Sequence, residues 1–131
     1  MKRLMLIALL AGGAQAAAQT VDGKSLFAKN CAACHQQTGA GIPGAFPALK
    51  GNRFVQGDAA AVIATVLKGR GGMPAFGATL DDEKIALAIS YVRSAWGNQA
   101  AAVDAAMVQA VRSGSGAAPV TKPEDKGTII H

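Results

Sequence analysis

The residues best suited to chemistry are Cys31-Ala32-Ala33-Cys34-His35, a C-x-x-C-H run. Two thiols three positions apart, followed at once by an imidazole, form the attachment motif of a c-type haem. The spacing fits that chemistry. Both thiols can add to vinyl groups along one edge of a flat macrocycle, and the adjoining imidazole reaches the iron from one face. Other uses of a close cysteine pair fit less well. A thioredoxin-type redox pair needs a strand ahead of it in a βα unit, and Leu26 to Asn30 is not that. A zinc site needs two further ligands, and the histidines are His35 and the terminal His131. A plain disulfide would close a trivially short loop.

A second axial ligand would have to come from elsewhere in the chain. Beyond the first 18 residues the methionines are Met73 and Met107. Met73 lies in Gly71-Gly72-Met73-Pro74-Ala75-Phe76, where glycine lets the backbone pass close to a ligand and present the sulfur. Met107 falls four residues from Val103 and Val111, which predicts a packing role on a helix stripe. A thioether opposite imidazole raises the potential and suits electron transfer. The competing reading is a haem enzyme or gas sensor with an open sixth position. A peroxidase-like activity would need a distal acid–base residue, and the spare histidine is His131.

The elements that must position these groups are helical. Val21 to Cys31 reads as a short helix with Gly23, Phe27 and Cys31 on one face. Asp58 is the expected N-cap of Ala59 to Lys68, which Gly69 ends. Asp81 caps the next helix, with Asp82 and Glu83 in its first turn and Ile85, Ile89, Val92 and Trp96 along one side. Residues 36 to 57 and 70 to 79 are Gly- and Pro-rich, and long irregular loops in a small domain are usually functional. Gln99 to Arg112 reads as a weak Ala-rich helix, followed by a linker and a polar tail. Residues 98 to 131 are therefore read as a C-terminal extension.

Taken together these residues resemble a class I cytochrome c, the small all-α fold of three main helices around one covalently bound haem. The likeness covers about residues 21 to 97, with the haem domain placed at 19–97 and the extension as an appendage. Gly23 and Phe27 match the N-terminal helix face that crosses the C-terminal helix in this family. Tyr91 matches the aromatic met there, although Ala88 is smaller than the usual residue. The resemblance implies that Pro47 offers its carbonyl to the ligand histidine, orienting the ring. It also implies that Leu49 packs on the haem, that Cys31 and Cys34 carry it, and that His35 and Met73 ligate the iron. Phe46, Phe54, Leu67, Phe76 and Ile89 are implied to lie near it, and Arg53 and Asn52 are candidate partners for a propionate. Tyr91 to Asn98 is similar to the end of haem domains in cytochrome subunits of periplasmic dehydrogenases and of some terminal oxidases. That implies a dehydrogenase as donor and an oxidase or another cytochrome as acceptor, with a role as electron carrier rather than enzyme.

Composition and charge agree with such a fold. Of 131 residues 29 are Ala and six are aromatic, so a core made of protein alone would be thin, and a bound haem would supply the missing apolar bulk. Met1-Lys2-Arg3, the apolar run Leu4 to Ala11 and an A-x-A ending read as a cleaved secretory signal over residues 1–18, hence a periplasmic protein. The apolar run is shorter than the roughly 20 residues of a spanning helix, so no membrane span is expected after cleavage. The formal charge of +5 falls to +3 when Lys2 and Arg3 leave with the leader. That is too small and too dispersed for nucleic acid. Lys24, Lys29, Lys50, Arg53, Lys68 and Arg70 flank the two loops and predict a basic rim that steers acidic partners.

Overall fold

The structure, a computed structural model, describes residues 21–114. The expected signal at 1–18 and the tail with His131 lie outside the described residues. Within them are five helices and no strand: α1 (Gly23–Asn30), α2 (Ala32–His35), α3 (Ala59–Lys68), α4 (Asp82–Ser94) and α5 (Ala105–Arg112). None of these helices is long and apolar enough to cross a membrane.

Carboxylate caps set the starts. Asp22 accepts from the Ser25 N–H at 2.7 Å, so α1 begins at Gly23 rather than Val21. Asp58 and Asp81 cap α3 and α4 at the expected positions, accepting from Ala60 and Lys84. Gly69, at φ 73°, ends α3 in the left-handed region.

The pairing of α1 with α4 rests on one small residue. A Cβ on Gly23 would stand 2.2 Å from the Leu87 carbonyl oxygen and 2.9 Å from Tyr91 Cβ, so the helices cross backbone to side chain. Phe27 is fully buried there, with ring centroids 5.5 Å from Tyr91 and 5.1 Å from Trp96. The other side of α4 forms the main core. Val62, Ile63 and Leu67 of α3 meet Ile85, Ala86 and Ile89 of α4, and Val103 and Val108 complete the cluster.

Residues 98–112, read as the start of an extension, thus pack into this core. The helix there also starts later than Gln99. Asp104 caps it by accepting from the Met107 N–H at 2.9 Å. Val103 precedes the cap and Val108 lies in the first full turn, a hydrophobic staple that sets the helix phase. This phase corrects the expected stripe of Val103, Met107 and Val111 at its middle member, since Val103 is in the core and Val111 packs against it. Val108 is fully buried, whereas Met107 is 38 % exposed and does not serve the core. Ahead of the cap, residues 99–104 stay non-helical because α4 holds them. Ala100 N–H donates to the Arg93 carbonyl, and the Ser90 hydroxyl donates to the Val103 carbonyl and accepts from its N–H.

Candidate functional site

α2 is one turn, and it gathers the three motif side chains. Cys34 and His35 both donate their N–H to the Cys31 carbonyl, at 3.2 and 3.0 Å. The cysteines are half-buried and His35 is buried. Burial, and then the neighbouring Cys34, push the Cys31 thiol up to about 11, so it stays neutral near pH 7. His35 Nδ1 lies 2.9 Å from the Pro47 carbonyl oxygen. A carbonyl only accepts, so Nδ1 carries the proton and the ring's lone pair sits on Nε2.

The loop that delivers Pro47 is folded on itself and then tied to the segment just after α4. Gly41 N–H donates to the His35 carbonyl at 2.9 Å. Gly39, at φ 66°, presents its carbonyl to both the Leu49 and Lys50 N–H groups. Any side chain at Gly39 would collide with the Trp96 ring, 2.5 Å from a Cβ placed there. Trp96 Nε1 donates to the Gln37 carbonyl at 3.0 Å. Leu49 is half-buried next to this anchor.

Two buried residues with no assigned role in the sequence reading hold the rest of the loop. Asn98 accepts from the Gly51 N–H at 2.8 Å and donates to the carbonyls of Leu49 and Val92, at 3.0 and 2.9 Å. Arg93 is 4 % exposed. It donates through Nε to the Ala101 carbonyl at 2.7 Å, and through Nη1 to Val55 and Gly57 at 2.8 and 3.1 Å. Carbonyl dipoles, rather than a carboxylate, balance its buried charge. A signal for Arg93 was available, since steps of four from Ile85 and Ile89 land on it. Asn98 had none.

Met73 sits in the second loop, half-buried, in a two-ended pair with Arg70: Arg70 N–H to Met73 carbonyl at 3.1 Å and Met73 N–H to Arg70 carbonyl at 2.9 Å. Gly69 makes this turn possible, because a Cβ there would lie 2.5 Å from the Met73 carbonyl oxygen. Downstream, Phe76 and Gly77 donate to the Val66 and Leu67 carbonyls at 3.0 and 3.1 Å, which fastens the loop to α3. The Arg70 guanidinium stands 5.8 Å from the Phe54 ring centroid, joining the two loops by a cation–π contact.

The candidate propionate partners differ. Asn52 spends its side chain inside its own loop, accepting from Phe54 and Val55 and donating to Ala48. Arg53 is exposed on the surface. Ile42, Phe46 and Phe54, in the first loop, are 41 %, 37 % and 41 % exposed in a chain with few large apolar side chains. A flat apolar group would cover such side chains, and the two thiols and Nε2 are the atoms a c-type haem requires. The residues fit that group.

Comparison with known proteins agrees. The family model for subunit III of cbb3-type cytochrome c oxidase matches residues 18–92. A cytochrome c-552 of Thermus thermophilus is 40 % identical over 114 residues, covering 75 % of this chain and 74 % of that one. This chain belongs to the cytochrome c family. The cytochrome is an electron carrier with a single c-type haem and the cytochrome c fold. It is also 36 % identical over 127 residues to the fructose dehydrogenase cytochrome subunit of Gluconobacter japonicus, covering 86 % of this chain and 26 % of that one. With the cbb3-type oxidase subunit CcoP of an Azospirillum species it shares 37 % identity over 98 residues, covering 69 % of this chain and 33 % of the relative. The cytochrome therefore spans about a quarter to a third of these two larger subunits.

Proposed function

We propose that this cytochrome is a periplasmic one-electron carrier with His35 and Met73 as axial ligands. It takes electrons from a periplasmic dehydrogenase and passes them toward a terminal oxidase or another cytochrome. The observation that carries the reading is the His35–Pro47 hydrogen bond, in the same turn as both thiols. It fixes the tautomer and aims Nε2 away from the loop carbonyl. When bound, the haem supplies one-electron ferric–ferrous chemistry.

The chain's own contributions follow from its contacts. Cys31 and Cys34 anchor the group through thioethers, and Leu49, with the exposed apolar side chains of the first loop, excludes water from it. Met73 offers a soft sulfur from a loop pinned at both ends, so little rearrangement accompanies electron transfer. Arg53 binds a propionate. Lys24, Lys29, Lys50, Arg53, Lys68 and Arg70 are all exposed and supply the positive rim that steers acidic partners. The dehydrogenase and oxidase subunits among the relatives support the choice of donor and acceptor, and the leader-like start supports export.

A redox titration of the purified holo-protein, paired with its intact mass, tests this. The expected result is one reversible single-electron wave, a mass equal to the leader-less chain plus one haem, and partner reduction rates that fall as salt rises. An additional electron equivalent, a retained leader or salt-independent rates would each refute the corresponding part.

A further inference from the structure

The second loop is held from a direction the proposed function does not use. Arg112, the last residue of α5, reaches across to the segment between Met73 and α4. Its Nε donates to Asp82 Oδ1 at 2.7 Å, its Nη1 to the Gly77 carbonyl and its Nη2 to the Leu80 carbonyl at 3.1 Å. One guanidinium thus satisfies two carbonyls of the loop and one carboxylate of α4. The seat is tight, since a Cβ on Gly77 would lie 2.9 Å from the Leu67 carbonyl oxygen and 3.4 Å from Arg112 Nη1. Gly77 is four residues from Met73, and no helix intervenes. α5 is itself anchored in the core by Val108.

We propose that Arg112 is a positioning residue for Met73: through Gly77 and Leu80 it limits how far the loop swings, and so how readily the sulfur leaves the iron. The proposal rests on the His35/Met73 reading and adds to it a function for α5. Without Arg112 the loop keeps its Phe76 and Gly77 bonds to α3, so the effect is on ligand residence rather than on the fold. A guanidinium suits the task because its planar fork serves three acceptors at once, which an ammonium cannot do with the same geometry.

The test uses ferric holo-protein, with cyanide as the probe, because cyanide enters only after the sulfur has left. In Arg112→Gln, cyanide binds about tenfold faster than in the parent, the factor expected from losing one or two charge-assisted bonds at a part-exposed site. The far-red band typical of Met–sulfur ligation also disappears at a lower pH. Arg112→Lys, which keeps the charge, gives an intermediate rate and stands in should the glutamine variant not fold. Asp82→Asn, which leaves both carbonyl bonds in place, changes the rate less than about threefold. Parent-like cyanide rates and an unmoved far-red band in the Arg112 variants overturn the proposal, even where their melting temperature falls. A parent protein with no far-red band and ready carbon monoxide binding overturns the His35/Met73 reading instead.

Discussion

Asn98 offers a sharp test of what holds the haem-side loop. It is 4 % exposed and makes three hydrogen bonds, accepting from Gly51 and donating to Leu49 and Val92. At about 1 kcal/mol net for each bond, Asn98→Ala costs about 3 kcal/mol. In a domain of this size that is a fall of roughly 10–20 °C in melting temperature. Asn98→Asp separates hydrogen bonding from shape. The new carboxyl still accepts from Gly51, but its second oxygen faces two carbonyls, and burial further disfavours its charge. Its folded-state pKa is therefore raised above the unfolded value, so the folded protein binds more protons in that window and stability falls as pH rises through it. The variant should come nearest the parent below about pH 4 and be weakest near pH 7. Thermal melts of holo-protein, followed by circular dichroism from pH 3 to 8, read both effects. An alanine variant within about 0.5 kcal/mol of the parent, or an aspartate variant whose difference from the parent is the same at every pH, would refute the assignment.

Gly23→Ala forces a Cβ to within 2.2 Å of the Leu87 carbonyl oxygen. It should cost about 1–3 kcal/mol by prising α1 from α4, measured as a shift in denaturant midpoint at constant slope. The Asp22 carboxyl is held below its ordinary value by the Ser25 backbone N–H it caps. Its stabilisation is therefore present above the unfolded carboxylate range and lost as pH falls through its folded value. Asp22→Ala should accordingly melt lower than the parent at pH 7 and converge with it in acid, and a gap that persists unchanged at pH 2 would contradict the cap.

Much of the frame was legible because it is local. Asp58, Gly69 and Asp81 mark helix ends by chemistry that acts within four residues, and both ends of α3 and the start of α4 stand where those residues predict; α4 stops at Ser94, short of the expected Trp96, which lies beyond the helix at φ 55°. Gly23 and Phe27 were legible through resemblance, and the crossing contact explains why no larger residue stands at Gly23. The start of α5 was misread because the Ala-rich run 99–112 has helix propensity throughout. Capping by Asp104 and the Val103–Val108 staple decide where it begins, and tethers to Arg93 and Ser90 hold the preceding residues out of the helix. Pro47 was reached by resemblance alone, since no local pattern links a ring nitrogen to a carbonyl twelve residues away. Arg93, Asn98 and Arg112 were missed as supports because each acts on backbone carbonyls more than twenty residues distant. A carbonyl carries no signature in a sequence, so Asn98 and Arg112 look like any other surface residues, and only the place of Arg93 on the buried face of α4 marks it out.

The central claim, His35 and Met73 on the iron of a low-spin electron carrier, is tested most directly by the visible spectrum of the matured protein and of Met73→Ala, each with and without carbon monoxide. For the parent the expected result is a sharp low-spin c-type spectrum, a far-red ferric band and indifference to carbon monoxide. For Met73→Ala the expected result is loss of that band and rapid carbon monoxide binding. A high-spin ferric parent that binds carbon monoxide, or a Met73→Ala spectrum identical to the parent's, would contradict it.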